Sequence, residues 1–199
     1  MGNGVDSRRR ILDALRAASP PAAPAPDLSA VGVRWEDPIA KLSEMVLAVA
    51  GKLVRVRDAA ALRAAVAVLA TEVGAARFAS AVEGVPGTFD VARSKDAHAL
   101  EGLGLAVLPG ALAVAESGAV WVRGETFRPR GAFVIAEHLA LVVAAADVVN
   151  DLHEAYRRIV LAGAGFGTFI AGPSKTADIE QALVIGAHGP RSCTLFLVG

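Results

Sequence analysis

Short apolar runs alternate along the chain with polar segments whose apolar positions recur at helical spacing. His138 to Ala146 is the strongest of these runs, continuous enough to predict a strand buried on both faces. Leu103 to Leu108 and Thr194 to Val198 read the same way, and Lys52 to Arg57, Arg77 to Val82 and Gly167 to Ala171 add shorter strands. Between them lie helix signals. Asp37 caps a helix with Pro38 at its first position and Gly51 past its end. Asp58 caps another, in which Leu62, Val66 and Leu69 share a face. Ser94 to Leu100 reads as a short helix. Asn150 caps a further one, with Asp151 and Glu154 early, Arg157 and Arg158 late, and Gly163 beyond. A last helix is expected around Asp178 to Ile185.

Two apolar runs, Ala111 to Ala115 and Ala119 to Arg123, are separated by Glu116-Ser117-Gly118, which predicts a hairpin with that tripeptide at its tip. At the N-terminus, Ile11, Leu12, Leu15 and Ala18 line one side of a short helix over residues 7–18. The run Ser19-Pro20-Pro21-Ala22-Ala23-Pro24-Ala25-Pro26 then forms an extended tether. A helix on such a tether packs on its own domain or on a neighbouring subunit, in a homo-oligomer or a larger complex. The division expected is an arm over residues 1–35 and an α/β domain over residues 36–199. Strands alternating with helices predict a mixed, mostly parallel sheet covered on both faces, a three-layer α/β/α arrangement.

Charge narrows the classes of partner. Twenty Lys+Arg balance twenty Asp+Glu, which argues against a nucleic-acid binder and against a polybasic membrane anchor. The apolar share of 54% owes much to 42 alanines, so the core is built from Val and Leu with Ala at close contacts. Arg8-Arg9-Arg10 is not followed by the apolar stretch of a targeting signal, because Asp13 and Arg16 interrupt it. The longest uncharged run, Ile159 to Ser174, is 16 residues with four glycines, too short to span a membrane. A cytoplasmic location is expected. The single cysteine, Cys193, sits in an apolar run and cannot form an internal disulfide or a cysteine-ligated cluster.

Several motifs fail on order or spacing. Gly163-Ala164-Gly165-Phe166-Gly167 precedes its strand, and Thr168 stands where a dinucleotide loop needs a third glycine. The four histidines show no metal-ligand spacing, and no metal is expected. The turn after Gly167 to Ala171 is the better candidate. It delivers Gly172 and Pro173, then the hydroxyls of Ser174 and Thr176 around the charge of Lys175, ahead of the expected helix. Backbone N–H groups at that helix start would hold a small anion, while plain capping is the competing explanation. Glu116, Ser117 and Gly118 form a second candidate, and His188-Gly189 before Pro190 a third. Glu116 is expected to project at the mouth of a cleft formed by strand ends.

Gly172-Pro173-Ser174-Lys175-Thr176-Ala177-Asp178-Ile179-Glu180, followed by Gly186-Ala187-His188-Gly189-Pro190, resembles the C-terminal signature of the lactate utilization protein C family, the LUD-domain group. Glu116-Ser117-Gly118 is similar to that family's acidic-hydroxyl-glycine motif, and the resemblance runs over residues 36–199. It implies a fold like that of CoA transferases and sugar-phosphate isomerases. It also implies a non-redox subunit of a complex that oxidises L-lactate to pyruvate, binding a small carboxylate beside two iron–sulfur proteins. This chain would then hold no cofactor, with the clusters in its partner subunits. The site residues implied are Ser117, Gly118, Gly172, Ser174, Lys175, Thr176, Asp178, Glu180, His188 and Gly189. The alternative is a stand-alone enzyme of the CoA-transferase type, with Glu116 as nucleophile toward an acyl group.

Overall fold

The computed structural model describes residues 3–18, 23–24, 26–27, 31–90, 97–126, 130–160, 165–179 and 182–199. The chain divides into two compact units, Met1–Ala30 and Val31–Gly199. The smaller contains helix α1 (Asn3–Ala17), on which Ile11 and Leu15 are exposed; most of the proline tether lies outside the described residues. Residues 31–35 group with the larger unit. Two hydrogen bonds account for it: Val33 N–H donates to Asp151 Oδ2 at 2.7 Å, and Trp35 N–H to Asn150 Oδ1 at 2.9 Å.

Within the larger unit the aspartate caps form where the sequence places them. The Asp37 carboxylate accepts from Ile39 and Ala40 N–H at the start of α2 (Pro38–Ala48). Asp58 accepts from Ala61 N–H at the start of α3 (Ala59–Glu72). Gly51 lies past the end of α2, as expected. Ala50, not glycine, takes the left-handed conformation at φ 61°, and Gly51 N–H closes the helix on Val46 O at 2.8 Å.

The strands β1 (Lys52–Val56), β2 (Phe78–Ser80), β3 (Leu105–Pro109), β6 (His138–Ala144) and β11 (Ser192–Val198) form one sheet, in the order β1-β11-β6-β3-β2, with every pairing parallel. A second sheet, in the order β7-β4-β5-β8, is built from β4 (Leu112–Val114), β5 (Ala119–Arg123), β7 (Val148–Val149) and β8 (Gly167–Ile170). It contains the expected hairpin, whose strands pair antiparallel through Ala113 and Val120. Among the described residues no helix is long and apolar enough to cross a membrane.

Strand alternation sorts the core into layers. Leu105, Val107, Ala140, Val142 and Phe196 face Leu62, Val66 and Leu69 of α3. The intervening residues Leu108, Leu139, Leu141, Leu195 and Leu197 face α2, the short helix α4 (Ala132–Ile135) and the inner side of the second sheet. Each of these fully buried Leu and Val side chains contributes about 1.5–3 kcal/mol of transfer free energy. The outer side of the second sheet, with Leu112, Val114 and Trp121, packs on α5 (Leu152–Arg158) through Ala155. This is the expected mixed α/β fold: a mostly parallel central sheet with helices on both sides.

Two local expectations fail. The N-cap of α5 is Asp151, one residue later than expected, its Oδ1 accepting from Glu154 N–H at 2.7 Å. Asn150 instead donates to Glu154 Oε2 from both its backbone N–H and its side-chain amide, at 2.9 Å each. More consequential is the C-terminal motif. Where a helix is expected at Asp178 to Ile185, the chain forms β9 (Lys175–Ile179) and β10 (Ala182–Ile185), paired antiparallel with a register shift between Ala182 and Val184. The apolar residues of such a short segment suit either period, and pairing across the chain reversal decides for strand.

Candidate functional site

The second sheet places two of the three sequence candidates at one end. Val120 pairs with Ile170 in antiparallel register, so the tip at residues 116–118 and the turn after β8 leave the sheet on the same side. Their surroundings differ. Glu116 Oε1 accepts from Leu152 N–H at 2.8 Å, so its carboxylate caps α5 beside Asp151 instead of standing at a cleft mouth. Ser117 Oγ is buried without a hydrogen-bond partner among the described residues. A Cβ at Gly118 would come within 2.9 Å of the Met45–Val46 backbone, so the tip is pressed onto α2.

The turn after β8 opens on a cleft of about 580 Å³ that collects Gly172, Ser174, His188 and Gly189. β8 forms one wall. It is the edge strand of its sheet, so one row of its N–H and C=O groups has no strand partner among the described residues. Phe133 and Val134 of α4 form the facing wall, and Leu139 and Pro190, at the amino ends of β6 and β11, lie at the base. The two halves of the motif are tied together: Ser174 N–H donates to Pro190 O and Gly186 N–H to Ser174 O, both at 2.9 Å. Gly189 is required by this closeness, since a Cβ there would lie 2.9 Å from Ser174 Cβ. Gly172 is required twice over, by φ 72° and by Val49 O, which a Cβ would approach to 2.2 Å.

The anion site on a helix N-terminus is overturned, because the motif continues as β9 and has no helix start. Ser174 and Lys175 point to opposite sides, as neighbours at a strand start must. Lys175 Nζ therefore leaves the cleft and donates to Val49 O at 2.5 Å, satisfying a carbonyl at the C-terminal end of α2. Thr176 sits in β9 opposite Val184. Asp178 is likewise a β9 residue, and Glu180 lies outside the described residues.

The cation that does line the cleft is one the motifs do not contain. Arg130 reaches it with its guanidinium over the Phe166 ring, 5.0 Å from the centroid, and donates to Gly124 O at 3.3 Å. No acidic residue is among the described residues that line the cleft. Its rim thus combines one fixed positive charge, the Ser174 hydroxyl and the His188 imidazole over an apolar floor. That set can bind and orient a small monoanion. No feature of the sequence around Arg130 marks it out; only the tertiary placement of the segment before α4 beside the cleft brings it there. Cys193 is buried nearby in the core, and burial pushes its thiol up to about 12 despite the opposing charge of Lys175. It stays protonated and does not serve as a nucleophile.

Comparison with known proteins bears on the same segment. Residues 105–198 match the LUD domain family. This LUD-matching segment contains β3 to β11 and every residue of the cleft described above, and it begins well after residue 36, where the resemblance of the motifs was expected to start. A curated relative, lactate utilization protein C of Shouchella clausii (strain KSM-K16), is 32% identical over 92 residues. That alignment covers 44% of this chain and 40% of the relative, so the chain spans about two fifths of that protein's length. The fold is shared with the crystal structure of a DUF162 family protein from Deinococcus radiodurans. The TM-score is 0.61 at 16% identity, covering 81% of this chain and 96% of the other.

Proposed function

We propose that this chain works in L-lactate utilization as a non-redox subunit that binds a small carboxylate, lactate or pyruvate, in the cleft between β8, α4 and the Ser174–Pro190 pair. The observation that carries this reading is the convergence of Gly172, Ser174, His188 and Gly189 with Arg130 in one cleft that no described acidic residue lines. Arg130 attracts the carboxylate, and Ser174 and His188 offer hydrogen bonds to the carboxylate or the 2-hydroxyl. The relative named lactate utilization protein C supports lactate as the anion. Oxidation of L-lactate to pyruvate releases two electrons and two protons. In this reading iron–sulfur proteins of the complex accept the electrons, since the lone thiol here is buried and protonated.

The alternative of a stand-alone transferase using Glu116 is weakened by its geometry, because that carboxylate is engaged with the α5 backbone and does not line the cleft. The deciding experiment is calorimetric titration of the purified chain with L-lactate and pyruvate, alone and with the partner proteins that co-purify from its host. Binding that weakens about tenfold in Ser174→Ala supports the reading. Crystals grown with lactate that show the anion elsewhere and this cleft empty overturn it.

A further inference from the structure

A second cavity, of about 500 Å³, shares no lining residue with the cleft above. It lies at the carboxyl ends of two central parallel strands: Pro109 ends β3, and Asp147 closes the turn that follows β6. In sheets of this kind, chain reversals leave a crevice at that edge, and ligands collect there. The crevice here is walled by Leu112 and Trp121 of the second sheet and by Ile159 at the end of α5. Trp121 is held by Phe169, with ring centroids 4.8 Å apart, so the two cavities flank one aromatic pair.

Two arginines and one aspartate face this crevice. Arg158 is ion-paired with Asp147, so those charges cancel. Arg123 ends β5, where its backbone pairs with Gly167 and its C=O accepts from Thr126 N–H, but its guanidinium has no hydrogen bond or ion pair with any described residue. One positive charge is left over, beside the Thr126 hydroxyl and the Trp121 ring. A guanidinium with its donors unspent matches a carboxylate or phosphate in a bidentate manner, and an adjacent aromatic wall suits a flat apolar body.

We propose that this crevice is a second ligand site, taking an anion attached to a small flat apolar group, with Arg123 binding the anion and Trp121 the apolar part. The test uses the full chain, whose two tryptophans, Trp35 and Trp121, supply two indole N–H resonances. Benzoate and phenyl phosphate are titrated, with acetate and inorganic phosphate as bare-anion controls. Saturable movement of the Trp121 signal, with Trp35 unmoved, is expected for the aromatic anions, and affinity should fall about tenfold in Arg123→Ala and less in Arg123→Lys. Response to benzoate alone or to phenyl phosphate alone supports the site and identifies its anion. Controls that bind as tightly as the aromatic anions overturn the role of Trp121. No saturable shift with any probe, or unchanged affinity in a folded Arg123→Ala protein, overturns the site.

Discussion

The hairpin tip at Glu116-Ser117-Gly118 and the turn at Gly172-Pro173-Ser174 leave the same end of one sheet, yet the fold treats them oppositely. At the tip the hydrogen-bonding capacity is consumed or sealed: Glu116 caps α5, and the Ser117 hydroxyl is shut in the interior. At the turn the Ser174 backbone is fully used in holding Pro190 and Gly186, which leaves its hydroxyl without a partner among the described residues and facing a cleft. A polar residue is available to a ligand only when the structure around it has not already spent its donors and acceptors.

The largest effect is expected where polar groups are most fully spent. Asp151 is 4% exposed and accepts from both Val33 and Glu154 N–H, so it locks α5 and the 31–35 segment to the domain. Asp151→Ala should cost about 3 kcal/mol, one cap plus one further charged hydrogen bond. In a domain of this size that lowers Tm by about 9 °C in calorimetry. The hydrogen bond from Glu154 N–H, and then that from Val33, hold the Asp151 carboxyl below its ordinary 3.8 against the opposing effect of burial. Its stabilisation is therefore complete above pH 3.8 and lost as pH falls through the depressed folded value. Asp151→Asn should remove that part of the acid-side slope of Tm against pH. An unchanged slope would show that the capped region does not carry the acid sensitivity.

Next in size is Gly172→Ala, which forces a left-handed alanine against Val49 O. About 2 kcal/mol is expected, read as a lower urea midpoint at unchanged slope. A smaller loss with intact lactate binding would mean that the turn relaxes without disturbing the cleft, and that the cleft is less closely built than the hairpin tip.

The smallest stability effects separate the two regions most sharply. Glu116→Gln keeps an oxygen acceptor for Leu152 N–H and loses only the charge at the helix start, about 0.5 kcal/mol, with lactate affinity unchanged. Ser174→Ala should change stability by no more than about 0.5 kcal/mol while weakening lactate binding. A stable Glu116→Gln protein that has lost lactate binding would break the contrast and return Glu116 to the site.

Much of the fold is legible in the chain itself. β3, β6 and β11 are continuous apolar runs because both their faces are buried, and α2 and α3 announce themselves by Asp37 and Asp58, whose carboxylates bond N–H groups two or three residues ahead. These are local facts, decided by neighbours in sequence. Tertiary structure decided the rest. The segment Asp178 to Ile185 has apolar positions compatible with a helix, and only the pairing of Ala182 with Ile179 and of Val184 with Thr176 makes 175–179 and 182–185 strands. That β4 and β5 join β7 and β8 in a sheet apart from the parallel one depends on contacts spanning 35 to 50 residues of chain. The cleft shows the same division. Gly172, Ser174, His188 and Gly189 stand out as motifs, but Arg130 joins them only because the segment before α4 lines the same cleft as β8, and Lys175 leaves them because strand alternation turns it toward Val49. A motif names the residues that chemistry could use; packing determines which of their groups remain unspent.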